Sequence, residues 1–272
     1  MSLGRKAAER LADKTVLIVG ASSGIGKATA TEYCDTTGGQ IKLILAARRF
    51  KKLQEIKKDI EKDFQNVKIH IVELDVSDSK KIASFVEELP EDFKDIDILV
   101  NCAGLALGLD DVGDIDPEDV ETMINTNFIG LVHITQAVIP IFKAKNSGDV
   151  VNVSSISAID SYPKGSIYCA SKHAVRGFTK ALRQEMNRSN IRVIEIAPGL
   201  VETEFFTVRF RGDEEKAKKI FEVAPALHPD DVADSIVYAT SRKPGTTVAD
   251  LLILPTQTIP LAEVYREKKI NV

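Results

Sequence analysis

The chain has 272 residues, 44% hydrophobic and 28% charged, with a formal net charge of −4. This is the composition of a globular protein with a sizeable core, and a slightly acidic chain without a long basic tract argues against nucleic acid as a partner. No apolar run reaches the ~18 residues of a membrane-spanning helix and the first residues lack a secretory apolar region, so no membrane partner is expected.

Three scattered cysteines, Cys34, Cys102 and Cys169, form no Cys-x2-Cys pair, which predicts reduced thiols and a cytoplasmic location. Four histidines, His70, His133, His173 and His228, show no ligand spacing, so no metal is expected and packing or surface roles are assigned to them.

Along the chain, a basic stretch at 4–14 is broken by Glu9 and Asp13 and suits a solvated helix. Short runs rich in Val, Ile and Leu then recur at 15–19, 43–46, 68–74, 98–100, 149–153, 192–196 and 251–254, each suited to a strand buried on both faces. Helix-period stretches separate them at 27–34, 50–64, 79–88, 117–144, 166–187 and 230–241. Ser79, Asp116 and Asp230 are candidate N-caps, with Pro117 at a first helical position. Alternating strand and helix predicts an α/β fold: one doubly wound domain over 1–272, with a seven-stranded parallel sheet and helices on both faces. The rhythm breaks only at 202–226, where Phe205, Phe206, Arg209, Phe210 and Arg211 gather after a strand. Ligands of such folds sit outside the carboxyl ends of the strands, so this insertion is a candidate substrate lid.

The first strand runs into Gly20-Ala-Ser-Ser-Gly24-Ile-Gly26 and a helix. Glycines allow a tight turn and close backbone approach to a pyrophosphate, and a helix N-terminus favours its charge. Gly20, Ser22, Ser23, Gly24, Ile25 and Gly26 are therefore candidate cofactor residues. The second strand ends Ala46-Ala47-Arg48-Arg49, where a binder of NAD would carry an acid. Two guanidiniums with no acid predict NADP, Arg48 and Arg49 pairing with its 2′-phosphate.

Ser155, Tyr168 and Lys172 follow the spacing Ser-x12-Tyr-x3-Lys. Tyr168 and Lys172 stand at i,i+4 and share a helix face. A phenol titrates near ~10, and a neighbouring ammonium favours the phenolate. Such a group can take a proton from an alcohol or return one to a carbonyl oxygen, and Ser155 can bond the same oxygen. Tyr265 and Lys269 repeat the Tyr-x3-Lys spacing, but Leu252 stands where a serine would be needed. That pair is read as chance.

In order and spacing, Gly20–Gly26, Asn101-Cys-Ala-Gly104, Asn127, Ser155, Tyr168, Lys172 and Pro198-Gly199 resemble the short-chain dehydrogenases/reductases. The match covers roughly 14–254. The resemblance implies a seven-stranded Rossmann sheet, with Tyr168 as acid/base, Ser155 orienting the substrate oxygen, Lys172 acting on Tyr168 and on the nicotinamide ribose, and Asn127 in a proton relay. It further implies Asp75 and Val76 beside the adenine, Cys102 and Gly104 near the ribose, and Pro198, Gly199, Val201 and Thr203 along the nicotinamide.

Gly104-Leu-Ala-Leu-Gly108, Pro198-Gly-Leu-Val-Glu-Thr-Glu-Phe205 and Val208-Arg-Phe-Arg-Gly-Asp213 look like the NADP-dependent serine/L-allo-threonine (3-hydroxy acid) dehydrogenase branch, which implies a homotetramer. A 3-hydroxy acid needs a cation for its carboxylate. Arg209 and Arg211 both stand in the candidate lid, and Arg209 is favoured. A reductase of uncharged carbonyls, served by the phenylalanines, is the alternative; a non-catalytic NADP sensor is disfavoured because Tyr168 and Lys172 are both present. Val19 and Cys102 depart from the Thr and second Asn usual in the family, removing two polar side chains beside the cofactor.

Overall fold

The β-branched and leucine runs form seven strands, all parallel, in a computed structural model that describes residues 3–257. They are β1 Thr15–Val19, β2 Lys42–Ala47, β3 Lys68–Glu73, β4 Ile98–Asn101, β5 Gly148–Val153, β6 Ile191–Pro198 and β7 Asp250–Ile253, in spatial order β3-β2-β1-β4-β5-β6-β7. The order reverses between β1 and β4, opening a crevice at their carboxyl ends. All seven predicted strands are present. Alternate residues of β1 serve opposite cores: Val16 and Ile18 face one cluster, Leu17 and Val19 the other. Each such buried aliphatic contributes roughly 1.5–3 kcal/mol.

One face carries α1 Leu3–Leu11, α2 Gly24–Thr37, α3 Phe50–Asp63 and, near the other end of the chain, Pro229–Thr240. The second face carries α4 Ser79–Phe85, α5 Glu91–Lys94, α6 Pro117–Ile124, α7 Gly130–Lys145 and α8 Ser166–Glu185. Two short helices, α9 Phe205–Arg209 and α10 Glu214–Val223, occupy the segment after β6, and Pro229–Thr240 is α11.

Two predicted caps shift. Asp78, not Ser79, caps α4, its carboxylate accepting from the N–H groups of Lys80 and Lys81. α11 begins at Pro229 with His228 as cap, and Asp231 rather than Asp230 accepts the His228 N–H at 2.7 Å. In both cases the carboxylate that reaches the open N–H groups, not the first polar residue, marks the turn. Asp116 caps α6 as expected, with Pro117 in the first turn.

The predicted helix 117–144 is one helical path with a π turn, Asn125–Ile129, between α6 and α7. Pro117–Lys145 is long and apolar enough by composition to cross a membrane. Asn125, Asn127 and His133 interrupt it, so it contains no unbroken apolar run of that length. Its apolarity has a packing cause: Ile134, Val138 and Phe142 are fully buried against the sheet. The Tyr265 and Lys269 pair lies outside the described residues.

Candidate active site

The first turn after β1 needs its glycine. Gly20 has φ +91°, and a Cβ there would stand 2.7 Å from the Ala103 backbone nitrogen. The phosphate turn is thereby pressed against the segment leaving β4, where the Cys102 N–H donates to Val19 O at 2.9 Å. This contact uses main-chain atoms, so it tolerates Val19 and Cys102 in place of polar residues. Burial pushes the Cys102 thiol up to about 12, keeping it protonated near neutrality.

A cleft of about 320 Å³ opens above this junction. Gly20, Ser22, Ser23, Gly24, Ile25, Arg48, Arg49, Val76, Cys102, Gly104 and Thr203, all candidates from the sequence, line it together. Ala47, Leu74 and Glu204 line it too and were not foreseen. Two expected residues stand apart. Gly26 packs beneath the turn against Gly20. Asp75 turns away to accept the N–H and hydroxyl of Ser77 at 2.9 and 2.8 Å; partial burial would raise its pKa, but these bonds and the charge of Arg48 hold it below the usual carboxylate value.

The two arginines differ. Arg49 donates to Ser22 Oγ at 3.1 Å, Ser23 Oγ at 2.6 Å and Glu204 Oε2 at 2.7 Å. The Arg48 side chain makes no hydrogen bond among the described residues.

A second pocket, about 120 Å³, adjoins the cleft and shares Ile25, Cys102, Gly104, Thr203 and Phe205 with it. The larger space suits a dinucleotide and the smaller one a compact substrate. Ser155, Tyr168, Lys172, Pro198, Gly199 and Val201 all line the smaller pocket. β5 delivers Ser155, whose Oγ accepts from the Ser157 N–H at 3.1 Å and caps a short 3₁₀ turn. Tyr168 sits in the first turn of α8, with Lys172 one turn on, its Nζ 5.9 Å from the Tyr168 ring centre. Lys172 donates to Val153 O at 3.1 Å and is buried, which lowers its pKa to about 8.

Asn127 lies in the π turn, where the widened turn swings its side chain toward the segment after β4. Its Nδ2 donates to Leu105 O at 2.8 Å and Ser171 Oγ at 3.0 Å, and its Oδ1 accepts from Leu105 N at 2.8 Å. It braces the wall beside Lys172 and lines neither pocket: a Cβ on Gly104 would stand 3.3 Å from Asn127 Oδ1 and 3.4 Å from Lys172 Nζ.

Arg209 is inside the smaller pocket rather than at its rim, only 2% exposed. Its Nη1 donates to the Tyr162 hydroxyl at 2.7 Å and its Nε to Gly108 O at 3.0 Å. Arg211 instead pairs with Asp119 at 2.6 Å and lines neither pocket. Phe205 and Phe206 wall the pocket, Phe205 meeting the Tyr168 ring edge-on at 5.4 Å. Phe210 packs behind Phe206. Tyr162 is the substrate-side residue that sequence reasoning missed; a tyrosine before a proline in a loop carries no signal until Arg209 is seen beside it.

Among the described residues no group of His, Cys, Asp or Glu could hold a metal. Cys169 is buried, and His173 bonds Cys169 O at 2.9 Å.

The family model described as short chain dehydrogenase matches residues 14–214. The chain belongs to the short-chain dehydrogenase family. The dehydrogenase is 48% identical over 259 residues to an NADP-dependent 3-hydroxy acid dehydrogenase of Schizosaccharomyces pombe, covering 95% of this chain and 99% of that one. It is 38% identical to sulfoacetaldehyde reductase 2 of Chromohalobacter salexigens, covering 89% and 94%. A solved serine dehydrogenase in its closed form with NADP+ superposes with a TM-score of 0.84 at 36% identity, covering 91% of this chain and 97% of that one. This dehydrogenase is accordingly an NADP-dependent oxidoreductase with a single Rossmann-like domain.

Proposed function

We propose that the enzyme oxidises the 3-hydroxyl of small 3-hydroxy acids, L-serine and L-allo-threonine among them. The observation that carries this is Arg209: a buried guanidinium lining the same small pocket as Ser155, Tyr168 and Lys172. A planar cation inside an apolar pocket selects a carboxylate over an uncharged group. Tyr162 and Gly108 fix the fork, so little rotational freedom is lost on binding.

With the acid on Arg209, the 3-hydroxyl faces Ser155 and Tyr168. Ser155 hydrogen-bonds the reacting oxygen. The phenol oxygen of Tyr168, as phenolate, takes the hydroxyl proton, and Lys172 stabilises negative charge there. When bound, NADP supplies the acceptor for the hydride leaving the same carbon. In reduction, Tyr168 returns the proton to the carbonyl oxygen. Asn127 holds the Leu105 wall and, through Ser171, the α8 turn that bears Lys172, and so serves the relay as a positioning residue.

The residues lining the cleft hold the cofactor, with Gly20–Gly26 around the pyrophosphate and Thr203 beside the nicotinamide. The 202–226 segment is the lid, because α9 brings Phe205, Phe206 and Arg209 to the substrate. The same anion site suits the relative named for sulfoacetaldehyde, whose sulfonate would engage Arg209 equally. Reduction of uncharged ketones is the competing assignment, and the Phe205–Phe206 wall favours it.

We further propose a homotetramer in the cytoplasm. Half-exposed Leu252 on edge strand β7 and three unbridged cysteines support these assignments; light scattering tests the first. Initial rates with L-serine, L-allo-threonine and a plain secondary alcohol, each with NADP and NAD, test the reaction. Turnover of the amino acids with NADP is expected; activity confined to uncharged alcohols or ketones would overturn the 3-hydroxy acid assignment.

A further inference from the structure

Sequence reasoning gives Arg48 and Arg49 one shared task, yet the structure surrounds them differently. All three side-chain nitrogens of Arg49 are engaged: two with the serines of the phosphate turn, one with Glu204. Lys52, in the first turn of α3, donates to the other Glu204 oxygen at 2.9 Å. Glu204 is the residue just before α9, at the root of the lid. Its neighbour Thr203 rests on the phosphate turn, its Cγ2 3.0 Å from where a Cβ on Gly24 would stand. Arg49 and Glu204 both line the dinucleotide cleft. One carboxylate therefore ties the lid, the phosphate turn and α3 together across the opening. Arg48 lines the same cleft, and its charge acts on Asp75 without a hydrogen bond from its side chain.

We propose that Glu204 is a clasp: gripped by Arg49 and Lys52, it fastens the root of the lid across the cofactor cleft and sets how fast any nicotinamide dinucleotide leaves, while Arg48 alone distinguishes NADP from NAD. The proposal rests on the assignment of this cleft to NADP. A dianionic 2′-phosphate placed on Arg49 would meet the Glu204 carboxylate, whereas on Arg48 it meets a cation with no hydrogen-bonded partner among the described residues. The hydrogen bonds from Arg49 and Lys52 hold the Glu204 carboxyl down to about 2, so the clasp carries its charge throughout the neutral range.

Stopped-flow displacement of NADPH and of NADH, followed by dihydronicotinamide fluorescence, tests this on the full chain. Glu204→Gln keeps the shape and removes the charge at a half-exposed position. Two exposed ion pairs are lost, so both dissociation rates are expected to rise by the same factor, on the order of threefold to tenfold. Lys52→Met should produce a smaller rise of the same kind. Arg48→Met should accelerate NADPH release and leave NADH release unchanged. An unchanged NADPH rate in Glu204→Gln would overturn the clasp, as would a change confined to NADPH or slower NADPH release, both of which would mean that Glu204 acts on the 2′-phosphate itself. Failure of the unaltered protein to bind NADPH would instead overturn the cofactor assignment.

Discussion

The two ends of the ligand groove follow opposite physics. At the substrate end, Lys172, Ser155 and Arg209 are buried and held by hydrogen bonds to carbonyl oxygens, hydroxyls or an amide. At the other end, Arg48, Arg49, Lys52 and Glu204 are exposed ions, and Arg49, Lys52 and Glu204 pair with one another or with hydroxyls. Charge in a dry pocket acts strongly at short range and costs stability, whereas charge in water acts weakly, reversibly and subject to salt. On the proposed assignment, the chemical step belongs at the dry end, and recognition of a large anionic cofactor that must leave each turnover belongs at the wet one.

The largest expected break in this contrast is Tyr168→Phe. Removal of the proton-carrying oxygen should reduce turnover by roughly 10²–10⁴-fold while NADP affinity, measured by fluorescence titration, stays nearly unchanged. Substantial remaining turnover would remove Tyr168 from the acid/base role.

Lys172 tests the cost of the dry end. Burial lowers its pKa from 10.5 to about 8, so below about 8 the folded protein bears the penalty of a charged, desolvated lysine. Between about 8 and 10.5 the unfolded chain binds a proton that the folded one has lost, and stability rises with pH across that window. Relative to Lys172→Met, urea unfolding of the cofactor-free protein should therefore gain up to about 3 kcal/mol from pH 7.5 to 10.5. A flat difference would mean that Lys172 is solvated.

Arg209→Lys keeps the charge but loses the fork. It should lower kcat/KM for L-serine about 10- to 100-fold, mostly through KM, and leave an uncharged secondary alcohol within about twofold. An equal effect on both substrates would assign Arg209 to structure alone.

The smallest effects lie at the wet end. Arg48→Ala should reduce the preference for NADP over NAD by about tenfold, and 0.5 M salt should weaken NADP binding more than NAD binding, both read from KM ratios. If neither ratio moves, the 2′-phosphate is recognised elsewhere.

Much of this molecule could be read along the chain. The five central strands were legible because a strand buried on both faces must be apolar almost throughout, whereas the partly exposed edge strands β3 and β7 showed only through their Val, Ile and Leu. Ser155, Tyr168 and Lys172 were legible because a strand end and one helix turn hold them at a spacing that is itself geometric. The absent acid after β2 pointed to NADP for a similarly local reason. What escaped lay in pairings between distant segments: Tyr162 with Arg209, 47 residues apart, and Arg49 with Glu204, 155 apart. Asn127 was placed by resemblance, but nothing along the chain announced the π turn that aims it at Leu105. Arg209 was favoured over Arg211, two residues apart in one basic-aromatic stretch, but nothing along the chain showed that α9 ends so as to place one in the pocket and the other on Asp119.

Local chemistry thus determined the elements, the phosphate turn and the catalytic spacing, since hydrophobic period and backbone preference act over a few residues. Tertiary structure decided that Arg209 enters the small pocket, that Arg48 lines the large cleft and that Arg49 pairs with Glu204, because a guanidinium has no assignment until the fold supplies its partners.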